Sequence, residues 1–387
     1  MVQVAVVGGG AAGLMAGIAA AAHGTAVVLE GGPRVGRKLL LTGSGRCNLT
    51  NLGPWEGHYH GTLDPGPVLE ALPPRAAVDL FASFGLLTRA DGEGRAYPWC
   101  SQASAVLDTL RLEARRRGVE ERVEFPVAKV RPKEGGFLLS GPAGSLEARR
   151  VVLAFGGRAA PATGSDGRGF SLLKRLGHRL VPQTPGLTWV ETDPGRTRSF
   201  QGLRVLGRAS LIREGKILLS REGEIQFRDR GLSGICLFDL ARLAPGGGEV
   251  SLDLLPQFSP EALPALLRER ERTLGRPWEE LLTGLVNKRV GQALLREVSQ
   301  AEELAGVLKD WRFPVKGLGP WEEAQVTVGG AHGEDFDSRT LESRLVPGLY
   351  CAGEALDLDG DCGGFNLQWA WASGFAAGTH AGREAAR

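Results

Sequence analysis

The segment 36–51, GRKLLLTGSGRCNLTN, concentrates side chains that can do chemistry within sixteen positions. Arg37 and Lys38 can neutralise phosphate oxygens. Arg46 is a fixed cation that can stabilise a bound anion, and Cys47 can donate a proton near neutral pH if its surroundings shift its pKa. The same thiol can equally be a small buried hydrophobe, and the sequence leaves both interpretations open.

A second functional pattern stands at the N-terminus. The apolar run VQVAVV, the turn GGGAAG, the Ala-rich stretch that follows and the apolar run TAVVLE predict a strand–helix–strand unit. In such a unit Gly8 permits a tight turn, Gly10 lets the backbone approach a pyrophosphate, and Gly13 lets helix and strand pack closely. The helix N-terminus would face the phosphates, and Glu30 can accept hydrogen bonds from a ribose. The residues expected to line this dinucleotide site are Gly8, Gly10, Ala11, Ala12, Gly13, Glu30 and Gly31.

The C-terminal segment 349–378 has the features of a ligand-binding sheet edge. LYCAG predicts a short strand, and Glu354 follows it where open α/β sheets place ligands. Gly363 and Gly364 precede a predicted helix with small residues on one face. Its first amides, near residues 365–367, would be free to donate, and a helix N-terminus stabilises negative charge such as that of a reduced flavin. An ordinary last helix that closes the sheet is the alternative interpretation.

Long segments of the chain resemble one flavoprotein family. GGGAAGLMAG, GRKLLLTGSGRCNLTN and GLYCAGEALDLDGDCGGFNLQWAWASG are similar to the BaiN/YhiN-type, aminoacetone oxidase-like FAD-binding proteins. Further similar stretches are GRAYPWCSQASAVLDTL, LAFGGRAAPATGSDGRGFSLLKRLGH, FRDRGLSGICLFDLA and EAQVTVGGAH, so the resemblance covers nearly the whole chain. It implies NAD(P)H-driven reduction of conjugated double bonds through FAD, on steroid enones or on a uridine of 23S ribosomal RNA.

The resemblance also implies which residues lie along FAD. The segment 36–51 would follow the extended cofactor, and Val127 would use its backbone toward the adenine. Arg168 in GSDGRG and Phe155 in AFG depart from the usual family motifs, which is compatible with FAD binding and predicts differences in the details of that loop and in the choice of substrate. Beyond the N-terminal turn, the expected cofactor contacts are Arg37, Lys38, Thr42, Gly43, Gly45, Asn48, Val127, Ala154, Gly156, Gly157, Gly353, Glu354, Gly364, Phe365, Asn366 and Leu367, and the catalytic candidates are Arg46 and Cys47.

The implied fold is α/β, a Rossmann-like FAD-binding domain of the two-dinucleotide-binding type with two insertions. Short alternating runs with charged turns predict antiparallel β structure in the first insertion, and Arg/Glu-rich periodic runs predict helices in the second. The expected ranges are 1–186 and 320–387 for the FAD-binding domain, 187–256 and 311–319 for the β-rich domain, and 257–310 for the small helical domain.

Composition excludes several protein classes. The chain has 387 residues, a net charge of +2 and five scattered cysteines with no C-x-x-C. This cysteine usage favours a reducing, cytoplasmic location and argues against a disulfide scaffold or a clustered metal site. No apolar run reaches the roughly 18 residues expected of a membrane span. The near-neutral charge does not indicate a nucleic-acid binder, although Lys288 and Arg289 are candidate ribosomal RNA contacts.

Three functions remain open from the sequence. The first is an FAD-dependent reductase of a polarised C=C bond, with NADH or NADPH as a transient electron donor. No second G-x-G-x-x-G follows a strand, which predicts direct visits of the nicotinamide to the flavin and ping-pong kinetics. The second is a flavin oxidase or reductase of an amine, ketone or other small molecule, and the third is a non-catalytic flavin-bearing RNA-binding or regulatory protein. We expect a small-molecule or ribosomal RNA substrate, with no membrane and no stable protein partner.

Overall fold

Both ends of the chain fold into the same unit. The computed structural model describes all residues from Met1 to Arg387 and divides into two compact units. Unit 1 comprises Met1–Thr184 and Trp321–Arg387, and unit 2 comprises Pro185–Pro320. The further division of residues 187–319 into a β-rich and a helical domain stays a prediction.

The first part of the chain supplies most strands of unit 1. Its elements are β1 (Val2–Val7), α1 (Ala11–Ala20), β2 (Ala26–Leu29), β3 (Thr50–Asn51), β4 (Tyr59–Gly61), α2 (Gly66–Ala71), α3 (Pro74–Ser83), β5 (Thr88–Ala90), β6 (Arg95–Pro98), α4 (Ala103–Arg116), β7 (Glu120–Arg122), β8 (Lys129–Lys133), β9 (Gly136–Gly141), β10 (Gly144–Leu153), α5 (Phe170–Arg175) and β11 (Leu180–Gly186), which ends just past the boundary between the units. A 3-10 segment, Leu39–Gly45, lies between β2 and β3.

The remaining elements complete unit 2 and return the chain to unit 1. Unit 2 contains β12 (Val190–Glu191), α6 (Pro194–Thr197), β13 (Arg204–Arg213), β14 (Lys216–Phe227), β15 (Gly231–Ser233), α7 (Ile235–Ala241), β16 (Glu249–Asp253), α8 (Ala262–Leu274), α9 (Lys288–Glu297), α10 (Ala301–Lys309), β17 (Trp311–Pro314) and β18 (Gly317–Leu318). Unit 1 then resumes with β19 (Val326–Ala331), β20 (Leu349–Cys351), β21 (Leu358–Gly360) and α11 (Phe365–Ala386).

The central sheet of unit 1 is built on parallel strands. Its order is β7-β2-β1-β10-β9-β8, with β20 beside β10. β1 runs parallel to β2 and β10, and β10 runs parallel to β20. β1 and β2 are short, apolar and buried along most of their length, as expected of strands covered on both faces. The predicted α/β fold with a Rossmann-like sheet is confirmed.

Helices α1 and α11 bring the two chain ends into close contact. A Cβ on Gly374 would lie 2.3 Å from the carbonyl oxygen of Ala12, and a Cβ on Gly378 would lie 2.2 Å from that of Ala16. These positions lie one helical turn apart on the same face of each helix. Because no side chain fits between the two backbones, the glycines of α11 allow it to pack in direct backbone contact with α1.

Unit 2 has a different architecture. Its sheet has the order β17-β16-β13-β14-β15-β12-β18, and each pair along this path for which the register is given is antiparallel. Phe200, Phe227, Trp311 and Phe313 form an aromatic cluster in its core. The predicted antiparallel β structure and helices are both present. None of the helices in either unit has the length and apolar character needed to cross a membrane.

Candidate functional site

The turn between β1 and α1 leaves room for a ligand at one glycine only. A Cβ on Gly13 would lie 1.8 Å from the oxygen of Gly8, and Gly8 itself has a φ of +108° and lies against Ala154. A Cβ on Gly10, in contrast, would meet nothing within 4 Å. Gly10 begins α1 without any side-chain cap on the first amides. The turn therefore offers uncapped N–H groups beside open space, which is the arrangement that binds anions at a helix N-terminus.

Glu30 follows β2 and holds two loops together. Its carboxylate accepts hydrogen bonds from the backbone N–H of Gly9 at 2.9 Å and of Gly32 at 2.7 Å. The amide of Phe125 donates to the backbone oxygen of Glu30, which brings the half-buried Val127 into the same neighbourhood. Each carboxylate oxygen has a second lone pair, so Glu30 keeps the capacity to accept from ribose hydroxyls.

Lys38 and Glu354 form the most direct link between the two functional segments. The Lys38 Nζ lies 2.9 and 2.7 Å from the two carboxylate oxygens of Glu354. Glu354 also accepts from the backbone N–H of Thr327 at 2.7 Å. The Thr327 hydroxyl accepts from the amides of Arg158 and Ala159, directly after Gly157. Thr327 was not among the predicted site residues; the segment EAQVTVGGAH indicated the family without singling it out.

The loop from Thr42 to Asn48 turns sharply, because several of its residues have left-handed conformations, and it is exposed from Ser44 to Arg46. Gly43, Ser44 and Gly45 have φ values of +56°, +55° and +81°. A Cβ on Gly45 would meet nothing within 4 Å, so the loop faces open space there. The exposed Arg46 lies over the ring of Tyr97, with its guanidinium carbon 5.2 Å from the ring centroid. The cation is thus positioned while remaining accessible to an anion.

Cys47 lies inside the protein and not on the surface of the loop. It is completely buried, and burial raises the pKa of its thiol to about 12, while a hydrogen bond with the Thr42 side chain acts in the opposite direction. A thiol with no accessible surface cannot reach a substrate in this conformation. Of the two interpretations that the sequence left open, the structure favours the small buried hydrophobe.

The first turn of α11 meets the end of the same loop. Gly364 has a φ of +109°, and a Cβ there would lie 2.9 Å from the Asn48 Oδ1. That oxygen is buried and has no hydrogen-bond partner. The side chain of Asn366 is occupied by the backbone of Gly360, donating to its oxygen at 2.7 Å and accepting from its N–H at 2.9 Å. Asn366 therefore has only its backbone left for a cofactor, whereas Asn48 has an unused acceptor.

The predicted residues fall into two groups in the structure. Around the β1–α1 turn lie Gly8, Gly10, Ala11, Ala12, Gly13, Glu30, Gly31, Val127, Ala154 and Gly353, the last of which would place a Cβ 2.8 Å from Ala12. Around the segment 36–51 and the start of α11 lie Lys38, Thr42, Gly43, Gly45, Arg46, Asn48, Gly157, Glu354, Gly364, Phe365, Asn366 and Leu367. Arg37 donates to the oxygen of Ala162, and Gly156 lies beside Ser165.

These features fit FAD. The uncapped amides at Gly10 suit a pyrophosphate, and the Glu30 carboxylate suits a ribose. The open backbone at Gly45 suits a flat ring that carries both donors and acceptors. The polar groups required for a dinucleotide are thus present at the carboxyl ends of β1 and β2 and in the loop that follows.

Comparisons with known proteins agree with this site. A family model described as HI0933-like protein Rossmann domain matches residues 2–380. The 3-dehydro-bile acid delta(4,6)-reductase of Clostridium scindens is 35% identical over 404 residues, 98% of each chain. The ribosomal RNA dihydrouridine synthase of Escherichia coli is 29% identical over 394 residues, 96% of each chain. The open form of a flavocytochrome c3 fumarate reductase has the same fold, with a TM-score of 0.50 and 19% identity over 100% of this chain and 78% of that chain.

Proposed function

We propose, from the premise that this chain belongs to the HI0933-like Rossmann family of FAD-dependent oxidoreductases, that it uses NADH or NADPH to reduce a C=C bond conjugated to a carbonyl group. The family resemblance that the motifs indicated is confirmed, and with it FAD as the cofactor and oxidoreduction as the activity. The type of bond that is reduced and the substrate that contains it belong to the proposal.

One observation carries the proposal most directly. The ends of three parallel strands meet around one glycine-rich turn, since Gly8 after β1 lies against Ala154 after β10, and Gly353 after β20 lies against Ala12 in α1. Strand ends that converge on a helix N-terminus form the usual nucleotide site of open α/β sheets. FAD, when bound, supplies a two-electron carrier between nicotinamide and substrate.

Backbone amides and side chains of the protein have distinct roles around the bound FAD. The first amides of α1 bind the pyrophosphate, and Glu30 binds the adenosine ribose. The N-terminus of α11 stabilises negative charge on the ring, because its positive dipole end begins at Gly364. Lys38 and Glu354 form an ion pair that holds the segment 36–51 against the residues that follow β20. Arg46 is the cation available to a substrate anion.

Two substrate classes follow from the relatives. A delta(4,6)-reductase and a dihydrouridine synthase both saturate a C=C bond that is conjugated to a carbonyl. We propose the same type of bond for this chain because the two relatives share it. A uridine of 23S ribosomal RNA is the first substrate to test, since α9 begins with the exposed cations Lys288 and Arg289. A steroid-like conjugated ketone is the second, since the bile acid enzyme is 35% identical to this chain.

The test separates the half-reactions. The FAD-loaded protein is reduced anaerobically with NADH and, separately, with NADPH, and the loss of flavin absorbance is followed. The reduced protein is then mixed with ribosomal RNA transcript, with a conjugated enone or with oxygen. Rapid reoxidation by RNA with dihydrouridine formation, or by the enone with its saturated product, supports the proposal. Reoxidation by oxygen alone, with stoichiometric peroxide, indicates an oxidase. Failure of both nicotinamides to reduce the flavin overturns the proposal and favours a non-catalytic protein.

A further inference from the structure

Two histidines share one buried carboxylate beside the start of α11. The Nδ1 of His58 lies 3.0 Å from one oxygen of Asp361, and the Nε2 of His60 lies 2.8 Å from the other. The Asp361 side chain is 6% exposed, while His58 and His60 are 39% and 24% exposed. We call these residues the His58–Asp361–His60 cluster. Its carboxylate faces inward and its two imidazoles remain accessible to solvent.

The cluster is fixed to the proposed flavin site. The amide of Asp361 donates to the oxygen of His58 at 2.9 Å, next to the antiparallel pairing of β4 with β21. The ring of His58 is stacked on that of Phe365, with centroids 4.3 Å apart and an interplanar angle of 12°. The hydroxyl of Tyr59 donates to the backbone oxygen of Phe365 at 2.9 Å. Since Phe365 follows Gly364 directly, the His58 ring lies next to the residue at which Asn48 meets α11.

The geometry determines which imidazole nitrogens are available. An ionised carboxylate only accepts hydrogen bonds, so the Nδ1 of His58 and the Nε2 of His60 must both carry a proton toward Asp361. The Nε2 of His58 and the Nδ1 of His60 are then the nitrogens that gain and lose a proton. A carboxylate behind an imidazole fixes the tautomer and orientation of a catalytic histidine in the same way in other enzymes.

The proposed reaction needs a proton donor, and this cluster contains accessible imidazoles. Saturating a C=C bond takes one hydride equivalent, which is two electrons and one proton, from the nicotinamide by way of the flavin, and one further proton from the protein or the solvent. Cys47 cannot supply that proton, because it is completely buried. His178 is also buried, and burial lowers its pKa, which leaves it a poor cation. His58 is accessible to solvent, and its ring is stacked on Phe365, the first residue of α11.

We propose, resting on the function proposed above, that His58 is the proton donor to the substrate and that Asp361 is the positioning residue that orients it, with His60 as the second anchor of Asp361. In the step, the Nε2–H bond of His58 breaks and its electron pair stays on the imidazole. The electron pair of the substrate enolate forms the new C–H bond at the carbon next to the carbonyl. Solvent returns the proton to His58.

Other titratable groups near the cluster are few and identifiable. Tyr59 lies between the two histidines in sequence, and burial raises the pKa of its phenol, so it stays neutral. Asp359 on β21 lies opposite His60 in the strand register, and Cys362 follows Asp361. Their charges contribute to any pH profile, which is why each variant below changes a single residue.

The experiment compares His58→Gln, His60→Gln and Asp361→Asn with the control His23→Gln. His23 lies just after the C-terminal end of α1. We expect all four to take up FAD and to be reduced by nicotinamide as fast as the wild type. Reoxidation by the substrate should slow at least ~100-fold in His58→Gln, a usual loss for a missing general acid. Imidazole in the buffer should restore part of the rate in His58→Ala, and the fall of the wild-type rate toward high pH should disappear in His58→Gln.

A readout without cofactor completes the test. In the flavin-free protein, ¹⁵N NMR should show neutral His58 with its proton on Nδ1 and neutral His60 with its proton on Nε2, and Asp361→Asn should abolish both preferences. A His58→Gln reoxidation rate within about twofold of His23→Gln overturns the inference and leaves the proposed function intact. The opposite tautomers in the wild type overturn it as well. Failure of the wild-type protein to be reduced or reoxidised at all identifies failure of the proposed function instead.

Discussion

Lys38 and Glu354 are 316 positions apart in the chain, yet the Lys38 Nζ lies 2.7 Å from a carboxylate oxygen of Glu354. Each was expected separately to contact the cofactor, and the structure makes each the partner of the other. Because Glu354 also accepts from the amide of Thr327, one carboxylate joins three segments of unit 1. The ion pair therefore has a structural role as well as an electrostatic one.

Replacing Lys38 tests both roles of this pair. Lys38→Met leaves Glu354 without its counter-ion, and we expect a loss of about 1–2 kcal/mol in unfolding free energy together with weaker FAD binding. The loss is smaller than for a fully buried pair because the two side chains are 25% and 22% exposed. Urea unfolding and fluorescence titration with FAD measure the two effects.

A matched control is available in the exposed pair of Lys133 and Glu147. Lys133→Met should change the unfolding free energy by less than about 0.5 kcal/mol, the usual range for surface substitutions. It should also leave FAD affinity unchanged. Equal effects of the two lysine variants on FAD binding would contradict the role assigned to Lys38.

The glycines of the first turn should separate stability from cofactor binding. Gly13→Ala places a Cβ 1.8 Å from the oxygen of Gly8, so we expect destabilisation of about 2–3 kcal/mol. Gly10→Ala meets nothing within 4 Å, so thermal stability should be kept while FAD affinity falls, because the added methyl occupies the space next to the helix amides. Melting temperatures and FAD titration distinguish the two variants.

Gly306→Ala serves as the control for these substitutions. A Cβ at Gly306 also meets nothing within 4 Å, and the residue lies within helix α10 of unit 2. Alanine is the better helix former, so the variant should be as stable as the wild type or slightly more so. Unchanged FAD affinity in Gly10→Ala would count against the placement of the pyrophosphate.

Cys47 should behave as a buried packing residue whose contribution to the free energy of unfolding depends on pH. Burial raises the pKa of its thiol from the ordinary 9.0 to about 12, so the folded state binds the proton more tightly than the unfolded state. Its contribution to stability is then complete below pH 9.0 and is lost as the pH rises toward about 12. Cys47→Ala should make the free energy of unfolding fall less steeply above pH 9.0, as measured by urea unfolding at successive pH values.

Thiol labelling gives an independent measurement. Cys47 is buried and Cys100 is exposed, so a thiol reagent at neutral pH should modify Cys100 and leave Cys47 untouched in the folded protein. Mass spectrometry of the labelled peptides locates the modification. Rapid labelling of Cys47, or loss of substrate-dependent flavin reoxidation in Cys47→Ala with unchanged stability, would restore it as the proton donor.

Steady-state kinetics should follow a ping-pong pattern. The fingerprint G-x-G-x-x-G occurs once after a strand, and the paired strands of unit 2 run antiparallel, unlike those of a nucleotide-binding sheet. We therefore expect the nicotinamide to visit the flavin directly and to leave before the substrate arrives. Double-reciprocal plots at several fixed nicotinamide concentrations should be parallel. Intersecting lines would indicate that both ligands bind together.

The first strand–helix–strand unit could be read from the sequence because its contacts are local. The residues from Val2 to Leu29 specify their own turn, helix and second strand within about thirty positions. Position 13 must be glycine because the helix packs so closely on the turn that a Cβ would meet the oxygen of Gly8. The start of α11 was likewise marked by Gly363 and Gly364. Short-range patterns of this kind carry enough information to predict an element and its ligand-facing end.

The tertiary structure decided the features that depend on distant pairs. Whether Cys47 reaches solvent depends on what packs over it, and the partner of Lys38 lies at the other end of the chain. Asp361 meets His58 only because β4 pairs with β21, some three hundred positions later, and no periodicity in either segment encodes that pairing. Sequence by itself therefore determined the cofactor and its turn, and folding determined which side chains beside it are buried, paired or exposed.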